Sequence, residues 1–147
     1  MTLNITKITD DYSTSPQISP SDMAEIANLG FKTIINNRPD LEGGAEQTTS
    51  TMLDEAAKQH GIQYVYIPVV PNQIQPDQVE SFRQALSSSP KPVLGFCRTG
   101  NRASQMYARA NTKTSAEHAG PFQALCAWTK RKCLITNFVR WIKTKHA

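Results

Sequence analysis

From Ile18 onward the chain alternates between two hydrophobic patterns. In "ISPSDMAEIANLG" the apolar residues Met23, Ile26 and Ala27 recur at helical spacing, behind Ser19 as candidate N-cap and Pro20 at the first helical position, with Gly30 as the stop. "FKTIINN" follows with the β-branched content of a buried strand. The same pair of signals then returns. "TTSTMLDEAAKQHG" predicts a helix with Met52, Leu53, Ala56, Ala57 and His60 on one side and Gly61 as terminator, and "IQYVYIPV" predicts the next strand. "QPDQVESFRQALSSS" places Val79, Phe82, Ala85 and Leu86 inward, and "KPVLGF" is a further strand. Met106, Tyr107 and Ala110 give helical spacing again, in a helix beginning near Ala103. Strands alternating with helices predict an α/β fold, a central mostly parallel sheet flanked by helices, and such sheets bind ligands at the carboxyl ends of their strands.

The pattern changes after Thr112. Residues 113–147 contain a Gly120-Pro121 break and then an amphipathic run at Leu134, Phe138, Trp141 and Ile142. This divides the 147-residue chain into a domain over 1–112 and a basic helical tail over 113–147, expected to pack on the same domain. Charge follows the division: residues 1–112 carry nine Lys/Arg against eleven Asp/Glu, whereas 113–147 carry seven against Glu117 alone. The overall net charge of +4 therefore belongs to the tail, and no nucleic-acid partner is expected. A solvated helix face is the preferred reading of the tail, with contact to a membrane surface or a partner as the minor alternative. The oligomeric state is left open. The first twenty residues lack the basic start and apolar run of a secretory signal, so the cytoplasm is the expected compartment. Cys97, Cys126 and Cys133 match neither a disulfide framework nor a zinc spacing, and His60, His118 and His146 have no partner pattern. No metal or organic cofactor is expected.

One stretch carries chemistry. "PVLGFCRTGNRAS" runs from a strand through Cys97 into a short loop and a helix. A thiol placed there meets the positive end of the helix dipole and a fan of unpaired backbone N–H groups, which favour the thiolate. Arg98 and Arg102 add fixed positive charge, and Gly100 supplies the backbone angles of a tight anion-cradling loop. The same parts suit a tetrahedral oxyanion, with the amides from Arg98 through Thr99, Gly100 and Asn101 to Arg102 facing its oxygens and the Arg102 guanidinium in forked contact. Ala103 and Ser104 complete the segment, Ser104 either bonding the thiolate or capping the helix. The loop thus reads as an anion cradle with a nucleophile at its floor.

"ITDDYSTSPQISPSDMAEIANLGFKTIINNRPD", "GIQYVYIPV" and the cysteine loop together resemble the beta-lactamase-hydrolase-like phosphatase family, a bacterial relative of the dual-specificity and tyrosine phosphatases, over about residues 4–110. The resemblance implies a cysteine-phosphatase-like fold, a phosphorylated substrate, Cys97 as the nucleophile of a phosphocysteine intermediate and Arg102 as the phosphate clamp. Two departures qualify it. Tyrosine phosphatases place five residues between Cys and Arg and a His before the Cys; here there are four, and Phe96 precedes. That spacing is similar to rhodanese sulfurtransferases, whose cysteine carries a persulfide. The loop that bears an aspartate acid in phosphatases reads "VVPNQIQPD" here, with Asn72 and Gln73 at the wanted place and Asp77 in the first turn of the next helix.

General acid catalysis contributes about 10²–10⁴-fold, so a phosphatase without it favours good leaving groups. Asp40, in the "NNRPD" loop, is the replacement candidate for the acid, against its alternative as a turn residue after Pro39. Arg38 either binds the anionic substrate or pairs with Asp40. Three functions remain in view: phosphomonoester hydrolysis through Cys97, sulfur transfer through a Cys97 persulfide, and a non-catalytic oxyanion-binding regulatory module.

Overall fold

The computed structural model describes residues 3–112. The helical tail expected over 113–147 lies outside the described residues. Five strands, β1 (Thr6–Lys7), β2 (Tyr12–Ser15), β3 (Thr33–Asn36), β4 (Gln63–Tyr66) and β5 (Val93–Phe96), form one sheet in the order β1-β2-β5-β3-β4. β2, β5, β3 and β4 run parallel, and β1 lies antiparallel against β2. The register pairs Ser15 and Asn36 with Phe96 and Asn36 with Tyr66, so four strands end level at their carboxyl side.

Helices α1 (Met23–Asn28), α2 (Ser50–Gln59), α3 (Pro76–Ser88) and α4 (Asn101–Asn111) connect and cover the strands. Consecutive residues of a strand face opposite sides. On β3, Ile34 joins Met23, Ile26 and Leu53 beneath α1 and α2, while Ile35 joins Phe82, Val93 and Met106 beneath α3 and α4. The central strands β2, β5 and β3 are therefore buried on both faces, as the alternating pattern predicts, while the edge strands β1 and β4 are partly exposed.

Local chemistry sets the helix starts. Ser19 opens a 3₁₀ turn (Pro20–Asp22) ahead of α1, and the Asp22 carboxylate accepts from the Ser19 N–H at 2.7 Å and the Ser19 hydroxyl at 2.8 Å. The Thr49 hydroxyl accepts from the Met52 N–H at the start of α2. Two assignments change. Met52 and His60, expected inward, are exposed, and Leu53 with Ala57 alone forms the buried line of α2. Helix α4 begins at Asn101, two residues before the expected start.

β1 and β2 are additions to the sequence reading. β2 is "YSTS", polar in three of its four residues yet buried throughout. Tyr12 explains how it fits. Its ring stacks on Tyr107 at 4.3 Å between centroids, and its hydroxyl donates to the Ala103 carbonyl at 3.1 Å. Gly95 makes room: a Cβ there would stand 2.0 Å from the Tyr12 hydroxyl oxygen. The glycine of "VLGF" thus lets a side chain from the neighbouring strand pass beneath β5 to reach α4. No helix among the described residues is long and apolar enough to cross a membrane.

Candidate active site

Cys97 is the first residue beyond β5, level with Asn37 beyond β3, whose N–H donates to the Phe96 carbonyl at 2.9 Å. Cys97 is 1% exposed, among the buried residues of the core. The sulfur accepts the Gly100 N–H at 3.1 Å.

Three carbonyls of the segment have partners within the fold. Arg98 O accepts from the Gln17 N–H at 3.4 Å, and Gly100 O accepts from the Ser104 N–H at 3.0 Å and the Ser104 hydroxyl at 3.2 Å. The Tyr12 hydroxyl holds Ala103 O. The N–H groups of Arg98, Thr99, Asn101, Arg102 and Ala103 donate to no acceptor among the described residues. Such a set of free donors stands at the head of an eleven-residue helix, an arrangement chemically suited to an anion. Gly100 sits at φ +89°, the left-handed conformation that lets the chain turn there, and a Cβ would meet Ser15 O at 3.4 Å.

Arg102 is the second residue of α4, and its guanidinium is fixed on three acceptors. Nη1 donates to Asn37 O at 3.0 Å and Val69 O at 2.7 Å, and Nη2 donates to Glu42 Oε1 at 2.7 Å. A guanidinium has five N–H donors. The Nε–H and one Nη2–H have no acceptor among the described residues, and these two form a fork suited to a pair of oxyanion oxygens.

Glu42 was not singled out from sequence. Its second oxygen accepts from Arg38 Nε at 2.9 Å, so one carboxylate joins two arginines whose side chains are 11% and 10% exposed. Arg38 also donates from Nη1 to Gln17 Oε1 at 2.9 Å, and a Cβ on Gly43 would stand 2.6 Å from Arg38 Nη2. Arg38 therefore pairs with Glu42 rather than Asp40, and its donors brace the loop walls instead of facing open solvent. Arg98, Thr99 and Asn101 are exposed on the loop's rim.

Asp40 lies two residues from Glu42 in a different setting. Its Oδ1 accepts from the Ser50 N–H at 2.8 Å and its Oδ2 from the Ser50 hydroxyl at 2.6 Å. The Asp40 N–H donates to the Tyr66 hydroxyl at 3.0 Å. Both carboxylate oxygens thus hold the first residue of α2. Ser104 bonds Gly100 O and lies 3.5 Å from the Thr14 hydroxyl, so of its two sequence-level roles the structure displays the one that braces the helix start. Asp77 falls in the first turn of α3, as expected. Asn37, Gln17 and Tyr12, like Glu42, became visible only in three dimensions. The Arg-x3-Glu spacing from Arg38 to Glu42 was the available hint.

The family described as "Beta-lactamase hydrolase-like protein, phosphatase-like domain" matches residues 4–114. A beta-lactamase hydrolase-like protein of Xylella fastidiosa is 29% identical over 106 residues, which are 72% of this chain and 24% of that protein. The chain thus spans about a quarter of the length of this curated relative. Among solved structures, a candidate phosphatase of Neisseria meningitidis is 38% identical with a TM-score of 0.65, covering 70% of this chain and 72% of its own. The TpbA protein of P. aeruginosa, solved as a cysteine-to-serine variant in complex with phosphotyrosine, shares the fold at 18% identity and a TM-score of 0.54, covering 71% and 60%.

Proposed function

The chain belongs to the phosphatase-like domain family of beta-lactamase hydrolase-like proteins, and from that premise we propose that it is a cysteine-dependent phosphatase acting on a phosphomonoester. The observation that carries the reading is the Cys97 sulfur held by the Gly100 N–H at 3.1 Å, inside a loop whose other amides are free.

In this reading Cys97 acts as a thiolate and attacks phosphorus. The S–P bond forms as the bond to the leaving oxygen breaks, and the electron pair departs with that oxygen. The free amides of Arg98, Thr99, Asn101, Arg102 and Ala103 and the Nε/Nη2 fork of Arg102 receive the non-bridging oxygens, where charge is stabilised in the transition state. Water then attacks the phosphocysteine, the pair returns to sulfur, and inorganic phosphate leaves. Glu42 and Arg38 do not touch the phosphate in this scheme. They hold the Arg102 fork at its angle, which matters because misplacing a reacting group by ~1 Å can cost about 10²-fold in rate. TpbA, a fold relative crystallised with phosphotyrosine, supports an oxyanion substrate.

Sulfur transfer rests on the four-residue spacing between Cys97 and Arg102. The family match and the solved relatives above support the phosphatase instead. The test is to incubate the full chain with p-nitrophenyl phosphate and, separately, with thiosulfate plus a thiophilic acceptor, each beside Cys97→Ser. Phosphate release that disappears in Cys97→Ser is the expected result. Cysteine-dependent sulfur transfer without phosphate release would replace this reading. Oxyanion binding with neither activity would leave a regulatory module in its place.

A further inference from the structure

We propose that the cavity lined by Asp22 is a second substrate subsite, which seats a cationic side group carried by the same molecule as the phosphate: an aliphatic stem ending in an ammonium or guanidinium. The inference rests on the phosphatase reading above and adds a selectivity that the cysteine loop does not supply.

The cavity, of about 360 Å³, lies along the segment that follows β2. Two observations tie it to the cysteine loop. Gln17, in its wall, donates its N–H to Arg98 O at 3.4 Å and accepts from Arg38 Nη1 at 2.9 Å through its Oε1. Ser15 and Pro16 line both this cavity and a smaller one of about 130 Å³, whose wall also includes Thr99, Gly100 and Asn101. The cavity therefore adjoins the loop that would hold the phosphate.

Its lining has the chemistry of a cation site. Among the described residues that line it, Asp22 is the one charged side chain. Asp22 already serves the start of the 3₁₀ turn, but it does so through one oxygen: Oδ2 accepts from the Ser19 N–H at 2.7 Å and from the Ser19 hydroxyl at 2.8 Å. Oδ1 makes no hydrogen bond to any described residue, so this half-buried carboxylate keeps a free acceptor. The Ser21 and Thr48 hydroxyls add neutral acceptors. Leu3, Pro16 and Ile18 supply apolar surface, and lysine and arginine lay their hydrocarbon stems along such surface while the charged head finds oxygen. An anionic group would meet the Asp22 charge instead, where partial burial strengthens the repulsion.

The experiment uses phosphotyrosine peptides in which a single lysine steps through the positions flanking the phosphorylated residue. Each is paired with a peptide bearing norleucine there, which keeps the stem and removes the charge. The full chain is expected to favour lysine at one position by about fivefold in kcat/KM, carried by KM, and to lose that preference at high salt. Aminobutyl phosphate and butyl phosphate, as competitors of p-nitrophenyl phosphate turnover, form the small-molecule arm. A preference found only there, for the amine, assigns the cavity to a small ammonium ester rather than a basic peptide. Asp22→Asn keeps a carbonyl oxygen for the two Ser19 bonds and removes the charge, so the lysine-to-norleucine ratio is expected to fall to about one. Thr48→Lys is the second variant: its own ammonium would occupy the cavity and abolish the preference in the same way. Equal rates at every position with equal inhibition by the two alkyl phosphates, or a preference that survives both variants, would overturn the inference while sparing the phosphatase reading. Absence of Cys97-dependent release from every donor would remove both.

Discussion

One side chain, Glu42, joins the Asn37 and Val69 carbonyls in fixing the direction of the Arg102 guanidinium. It is held between two arginines at 2.7 and 2.9 Å, and its own side chain is only 18% exposed. Glu42→Gln keeps the shape but removes the charge that two guanidinium groups share. It is expected to lower kcat/KM by up to about 10²-fold, because the fork loses its angle. Urea unfolding should also register a loss, since removing one partner of a buried ion pair costs about 3–5 kcal/mol in the most buried cases. Steady-state kinetics with an aryl phosphate and a denaturation curve on the same variant check both. Gly95 gives a second residue-scale test. Gly95→Ala puts a methyl group 2.0 Å from the Tyr12 hydroxyl, and overpacking of that kind costs about 1–3 kcal/mol. A shift in the urea midpoint without a change in slope is the expected signature.

At the scale of elements, the question is how α2 is tied to the site. Asp40 accepts from both the N–H and the hydroxyl of Ser50, so it acts as a clamp between the β3 exit loop and the helix start. Asp40→Asn is expected to destabilise the fold by about 1 kcal/mol, the ordinary worth of a helix cap, measured by urea unfolding. A general-acid role would show instead as a rate loss at unchanged stability. The elements also show what the sequence could and could not reveal. The run β5, loop and α4 was legible because apolar "VLGF" gives way at once to a thiol, a glycine and an arginine, each with a local physical meaning. β2 was not, because "YSTS" owes its burial to β5 and to Gly95, neither of which is near it in the chain. Met52 and Leu53 are adjacent in an amphipathic run, and periodicity alone placed both inward where packing admits Leu53 only. Glu42 hid in a glycine-rich loop, sixty residues from the arginine it serves.

For the molecule as a whole, buried phenols set a limit at alkaline pH. Burial lifts the Tyr12 phenol far above its ordinary value, with the Cys97 and Tyr107 charges acting in the same direction. Burial also lifts Tyr64, against the opposing hydrogen bond from Asn36. In the unfolded chain these phenols ionise near pH ~10, whereas the folded state keeps its protons. Their contribution is complete below that pH and is lost as the pH rises above it, by up to about 1.4 kcal/mol per pH unit for Tyr12. Chemical denaturation at pH 9 and pH 11 should therefore show a smaller decline for Tyr12→Phe than for the wild type.

The three acceptors of Arg102 come from far apart along the polypeptide: Asn37 is 65 residues away, Val69 33 and Glu42 60. No fragment of the sheet could assemble that grip by itself, so turnover should vanish in step with the far-ultraviolet circular dichroism signal during a urea titration. Activity in this protein would then serve as a gauge of intact topology, and an enzyme assay alone would count the natively folded fraction of a preparation.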